Sequence, residues 1–200
     1  RRDSPGDDLT TRLIEAAGDG RLATQDELVM NTGALLIAGF ETTTNLITNA
    51  VYNLLEHSVE LAKLRADPTS IAAAVEEVLR FDPPVQMLSP RTMTAETVLG
   101  GAELHPGDAV VPIMAAANRD PAEFDDPDRF DITRSRNRHL SFGLGHHMCV
   151  GSSLARMETQ AAVSRLFERF PALALDPGDP PEYRPNLALR GFSRLPVSLA

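Results

Sequence analysis

Cysteine is almost absent: Cys149 is the only one in 200 residues. No internal disulfide can form, so that sulfur is a buried bystander, a reactive thiol or a metal ligand. The chain also lacks the basic, apolar and small-residue sections of a secretory signal at its start. No apolar run is long enough to cross a bilayer without interruption, and a soluble, cytoplasmic protein is expected. Basic charge is in short supply, with 19 Lys+Arg against 28 Asp+Glu and a formal net charge of -9. That balance argues against nucleic acid or an anionic membrane surface as the main partner. Repeats, low-complexity tracts and flavin or nicotinamide fingerprints are missing too. What is present, 42% hydrophobic residues over this length, suffices to bury one sizeable core and excludes a disordered or fibrous chain.

The hydrophobic pattern is mainly helical, with short strands in the middle. Leu9, Leu13, Ile14 and Ala17 predict a short amphipathic helix over 7–18, ended by Gly18 and Gly20. Thr24 and Glu27 form a capping box, and the helical pattern after it persists to about His57. Apolar residues surround this long helix on every side, which predicts a passage through the middle of a core. Another helix is expected over 70–81, stopped by Asp82-Pro83-Pro84. Extended segments at 85–94, 97–104 and 109–114, separated by Gly100-Gly101 and Pro106-Gly107-Asp108, predict a small sheet. Residues 119–140 form a long irregular connection of the kind that usually serves function. A last helix should run from after Cys149 to about Phe170, and 187–199 reads as a terminal hairpin. Arg134, Arg136, Arg138 and Arg156 make a local basic stretch, either an ordinary solvated loop or a cationic collar suited to an acidic protein partner.

Three segments carry chemistry. In Phe142 to Gly151, FGLGHHMCVG, Gly143, Gly145 and Gly151 flank the cysteine. Glycines allow positive φ and close approach to a ligand, and a helix starting near Gly151 points its positive end at the sulfur. Glu77-Val78-Leu79-Arg80 places a carboxylate and a guanidinium on one helix face, a weak signal alone. Ala38-Gly39-Phe40-Glu41-Thr42-Thr43 puts polar groups inside an apolar helix. They mark either a helix break or a site where small residues admit a flat ligand and threonine hydroxyls bond back to the backbone.

Taken in chain order, AGxET, ExxR, Pro127-Asp128-Arg129-Phe130 and FxxGxxxCxG resemble the haem-binding half of the cytochrome P450 family. The resemblance implies a mainly α fold with small β-sheets, residues 1–200 forming the C-terminal haem-binding part of one domain whose N-terminal part lies outside this chain. It implies haem b with Cys149 as iron ligand, and His147 and Arg91 on the haem propionates. Ala38, Gly39, Phe142 and Gly143 would pack against the cofactor. Thr42 would hydrogen-bond dioxygen and Glu41 relay protons. Glu77, Arg80 and Arg129 would form a buried supporting network. Val85, Met87, Leu88 and Phe192 would line the substrate pocket, unless they are ordinary core. The role of His139 is left open.

The function implied is a monooxygenase that inserts one atom of dioxygen into an apolar small molecule of secondary metabolism. Electrons would come from a ferredoxin-type donor with its reductase. Alternatives are a catalytically silent haem-binding module and a zinc protein using His139, His146, His147 and Cys149, whose spacing fits structural zinc sites poorly. The chain alone is expected to expose a large apolar surface and to self-associate.

Overall fold

The computed structural model describes residues 3–19 and 24–199; Gly20, one of the two expected helix stops, lies outside them. Contacts divide the chain into two units, Arg1–Glu41 and Thr42–Ala200. In the first, α1 (Leu9–Gly18) starts where Asp8 accepts a hydrogen bond from the Thr11 amide at 2.8 Å. The long helix α2 (Gln25–Glu56) opens on the expected capping box. The Thr24 amide donates to Glu27 Oε2 at 3.0 Å and the Glu27 amide to Thr24 Oγ1 at 3.1 Å, satisfying two otherwise orphaned donors.

The expectation that α2 is buried throughout requires correction. Its first half exposes Met30, Leu36, Ile37 and Phe40, the last at 74%, whereas Leu46, Ala50 and Leu54 are each about 1% exposed. An apolar pattern states that a face needs cover, not which residues supply it.

In the second unit the core joins the end of α2 with α3 (Ser58–Ala66), α4 (Ile71–Phe81) and α6 (Ser152–Arg169). The sequence pattern left α3 unassigned, since its weak periodicity offers no apolar stripe. On α4, Ala74, Val75, Val78 and Leu79 repeat at one-turn spacing and bury one face, against which Val163 of α6 is also buried. Each buried Val or Leu among them contributes about 1.5–3 kcal/mol. The helix stops at Asp82, whose amide still reaches Val78 O at 2.8 Å, because Pro83 and Pro84 cannot continue it.

The expected small β-sheets are, among the described residues, four two-stranded antiparallel pairs, two of them in the 85–114 region read as one sheet: β1 (Arg91–Thr92) with β4 (Ala109–Val110), β2 (Thr97–Leu99) with β3 (Ala102–Leu104), β5 (Ala174–Leu175) with β8 (Val197–Ser198), and β6 (Glu182–Tyr183) with β7 (Phe192–Arg194). Gly100 and Gly101, at φ 57° and 86°, make the tight β2–β3 turn. Pro90 and Pro112 shorten the neighbouring strands by removing ladder donors, and Met114–Ala117 is a helical turn, α5. Strands β7 and β8 do not form the terminal hairpin. Leu195-Pro196 between them cannot adopt the positive φ of a two-residue turn, so each pairs with an earlier strand.

Candidate functional site

The loop carrying Cys149 is wound by its own backbone. Gly143 N–H donates to Leu140 O at 2.8 Å, Met148 N–H to Gly145 O at 3.1 Å, and Cys149 N–H to Phe142 O at 2.8 Å. Gly143 and Gly145 adopt φ of 69° and 72°, conformations that side chains oppose. Gly151 differs from expectation. It caps α6 at φ -86°, and a Cβ there would meet Cys149 Sγ at an ordinary 3.9 Å. The cysteine is exposed, three residues before Ser152 at the N-terminal end of α6, whose dipole favours a thiolate.

Leu144, Met148 and Val150 of the same loop are exposed as well. A single soft donor on a loop that exposes apolar side chains fits a flat, largely apolar group that brings its remaining metal ligands with it, as haem does. It does not fit a zinc site. Among the described residues no cluster of three His, Cys, Asp or Glu side chains is placed to hold an ion, and the His139 ring is engaged elsewhere.

Glu77 and Arg80, both 0% exposed, form a bidentate pair: Arg80 Nε and Nη2 each donate to a Glu77 oxygen at 2.8 Å. Arg80 also donates to the carbonyls of Asn118, Pro127 and Arg129, at 3.1, 2.8 and 2.9 Å. Glu77 accepts from the Asp131 amide at 2.9 Å and from Asn137 Nδ2 at 3.1 Å. The expected part for the Arg129 guanidinium is corrected. It is 60% exposed and lies 3.7 Å from Asp131, and only its carbonyl joins the network. The third charge is Arg134, 12% exposed, with Nε 3.4 Å from Glu77 Oε2, in ion-pair range although not aligned as a hydrogen bond. The irregular 119–140 segment is thereby pinned by buried groups of α4.

Glu76 builds a second network. It accepts from Arg156 Nε and Nη2 at 2.6 and 2.9 Å and pairs with His139 Nε2 at 3.0 Å. The Ser141 amide approaches His139 Nδ1 at 3.2 Å, which turns Nε2 of the ring toward Glu76. Burial pushes the Glu76 carboxyl up, but the hydrogen bonds from His139 and Arg156 outweigh it and hold the group down at about 2. Asn118, fully buried, takes the Leu140 amide at 2.7 Å and donates to Ser141 Oγ at 2.8 Å, while Ser141 Oγ donates to Leu79 O. Sequence reasoning missed Glu76, Asn118, Arg134 and Asn137. The one available signal was a second carboxylate, Glu76, beside Glu77 in an otherwise apolar helix.

These pairings dissolve much of the cationic collar. Arg134 and Arg156 are internal ties, while Arg136, 3.7 Å from Glu123, and Arg138 stay exposed.

α2 runs unbroken through Ala38, Gly39, Glu41 and Thr42, so the segment is no helix break; Ala38 and Gly39 are exposed, Glu41 and Thr42 half-buried. Arg91 and His147 are exposed, on β1 and in a 3-10 turn. Val85, Met87 and Leu88 are half-buried on a strap held by Gln86 N–H to Ala188 O at 2.8 Å and Leu88 N–H to Pro112 O at 2.9 Å. Phe192 is corrected from pocket to core: it is buried against the rings of Tyr52 and Tyr183, at 4.9 and 4.3 Å between centroids.

A mainly helical fold with small sheets and a glycine-turned cysteine loop points to a haem-binding class of protein, and comparison with known proteins agrees. The family described as Cytochrome P450 matches residues 2–198. The chain is 48% identical over 200 residues to Cytochrome P450 107B1 of Saccharopolyspora erythraea, covering 98% of this chain and 49% of that protein. It is 44% identical to the cytochrome P450 monooxygenase PikC of Streptomyces venezuelae, covering 98% and 48%. Among solved structures, P450BioI in complex with a hexadec-9Z-enoic acid ligated acyl carrier protein superposes with a TM-score of 0.92 at 44% identity, covering 99% of this chain and 50% of that one. The chain belongs to the cytochrome P450 family, whose cofactor is haem b, and it spans about half the length of the relatives it matches.

Proposed function

We propose that residues 1–200 form the C-terminal haem-binding part of one domain, belonging to a monooxygenase that inserts one atom of dioxygen into an apolar small molecule of secondary metabolism. The observation that carries this reading is the exposed Cys149 sulfur on a glycine-turned loop at the start of α6. When bound, haem supplies the redox chemistry that reduces dioxygen with two electrons, one oxygen atom entering the substrate and the other leaving as water.

The chain's own residues do the rest. Cys149 would ligate through Sγ, and Phe142, half-buried beneath the Arg156 guanidinium at 4.5 Å, would pack against the cofactor. His147 and Arg91 bind propionates by charge-assisted hydrogen bonds. Ala38, Gly39 and Gly143 admit the flat ring. Thr42 donates a hydrogen bond to dioxygen, and Glu41 holds and passes protons at its carboxylate. Val85, Met87 and Leu88 contact substrate.

Electrons come from a ferredoxin-type donor with its reductase, for which the exposed Arg138 offers a cationic contact. Among the described residues no helix is long and apolar enough to cross a membrane, and we place the protein in the cytoplasm. The exposed apolar side chains of α2 support self-association. Relatives named as monooxygenase and hydroxylase, among them the 6-deoxyerythronolide B hydroxylase of Saccharopolyspora erythraea at 45% identity, favour turnover over a silent haem-binding module.

The test is the absorption spectrum of the reduced, carbon monoxide-bound protein. A thiolate-type band lost in Cys149→His is expected, and an unchanged band in that variant overturns the ligand assignment. Peroxide-driven turnover separates the enzyme from a silent binder.

A further inference from the structure

We infer that Glu76 is a positioning residue for the cysteine ligand: it joins the chain entering the Cys149 loop, through His139, to the helix leaving it, through Arg156. The inference rests on the haem-thiolate reading for its consequence but on geometry for its cause.

Glu76 and Glu77 are consecutive on α4, and the helix turns their side chains about 100° apart. Their partners accordingly separate. Glu77 holds the Asp131 amide and Asn137, with Arg80 tying the carbonyls of Pro127 and Arg129. Glu76 touches none of these. Its partners His139 and Arg156 bracket Cys149 at ten residues before and seven after. Both also enclose Phe142. The Arg156 guanidinium lies 4.5 Å over that ring and the His139 ring 6.1 Å from it. The Phe142 carbonyl in turn accepts the Cys149 amide at 2.8 Å. One carboxylate thus fixes both ends of the loop and the aromatic ring between them, and that ring's backbone orients the cysteine.

The geometry is specific to a carboxylate. All three donors, two N–H groups of Arg156 and the Nε2–H of His139, point at Glu76, and an amide would turn its own NH2 against one of them. Glu76→Gln therefore breaks at least one tie with little change in volume.

The experiment compares the unmodified haem-loaded protein with Glu76→Gln and, because Arg156 is one-third exposed and tolerant of change, with Arg156→Gln. Two signals are followed: conversion of the reduced carbon monoxide band from the thiolate to the displaced type in mild urea, and amide hydrogen exchange. Either variant should lose the thiolate band about tenfold faster, and the Gly143 and Cys149 amides should exchange about tenfold faster while the Asp131 amide, held by Glu77, does not change. The double variant should be no worse than the worse single, since both cut one network. Unchanged band loss and unchanged exchange in a folded single variant overturn the inference. If the unmodified protein gives no thiolate band, the proposed function fails instead. The exchange pattern then still decides whether Glu76 holds the loop.

Discussion

Asn45 on α2 and Gly191 meet so closely that a Cβ on residue 191 would stand 2.1 Å from Asn45 Oδ1 and 2.8 Å from its Nδ2. Asn45 is buried in close-packed surroundings, so making room costs energy. Residue 191 is therefore glycine for want of space, not for a special φ. Gly191→Ala should destabilise the protein by about 1–3 kcal/mol, as overpacking does. In an Asn45→Ala background most of that penalty should vanish. Urea unfolding of the four proteins in a double-mutant cycle measures it, and strict additivity would show that the contact is not the cause.

The two arginines near Glu77 should behave differently. Arg129→Ala removes an exposed side chain and leaves the carbonyl that Arg80 binds, so its stability should stay within about 0.5 kcal/mol of the unmodified protein. Arg134→Ala removes a buried cation beside a buried carboxylate and should cost more, about 1–3 kcal/mol. A larger loss for Arg129→Ala than for Arg134→Ala in thermal unfolding would contradict the observed geometry.

Acid should act through Glu76. Its folded carboxyl is held down at about 2 against an ordinary value of 4.5. A depressed carboxylate adds stability that is complete above the unfolded value and disappears as pH falls through the folded one. The loss belongs to the window from about pH 4.5 to about pH 2, worth about 2 kcal/mol after allowance for partial exposure. Unfolding curves of Glu76→Gln should therefore depend less on pH across that window and should match the unmodified protein's slope between pH 5 and 7.

The two turning glycines and the capping glycine can be told apart by alanine. Gly143→Ala forces a side chain into positive φ and should cost about 1–2 kcal/mol. Gly151→Ala, at φ -86° with an ordinary 3.9 Å neighbour, should cost less than about 1 kcal/mol. Chemical denaturation of both variants makes the comparison.

Much of the site was legible in one dimension because its signals are local. Thr24 and Glu27 cap a helix through bonds three residues apart. Gly143 and Gly145 turn a loop by their own dihedral angles, and Pro83-Pro84 stops α4 whatever surrounds it. Glu77 and Arg80 lie one turn apart, so their pairing follows from helix geometry. Tertiary structure alone decided the rest, because those choices depend on residues far apart in the chain. The sequence motif pointed to Arg129, whereas folding brought the guanidinium of Arg134, and not that of Arg129, to Glu77. Glu76 became the tie between His139 and Arg156 across 63 and 80 residues. Phe192 went to the core because Tyr52 and Tyr183 met it there. Backbone chemistry fixes what a residue does to its neighbours, whereas long-range contact depends on the simultaneous packing of every element, which no local pattern encodes.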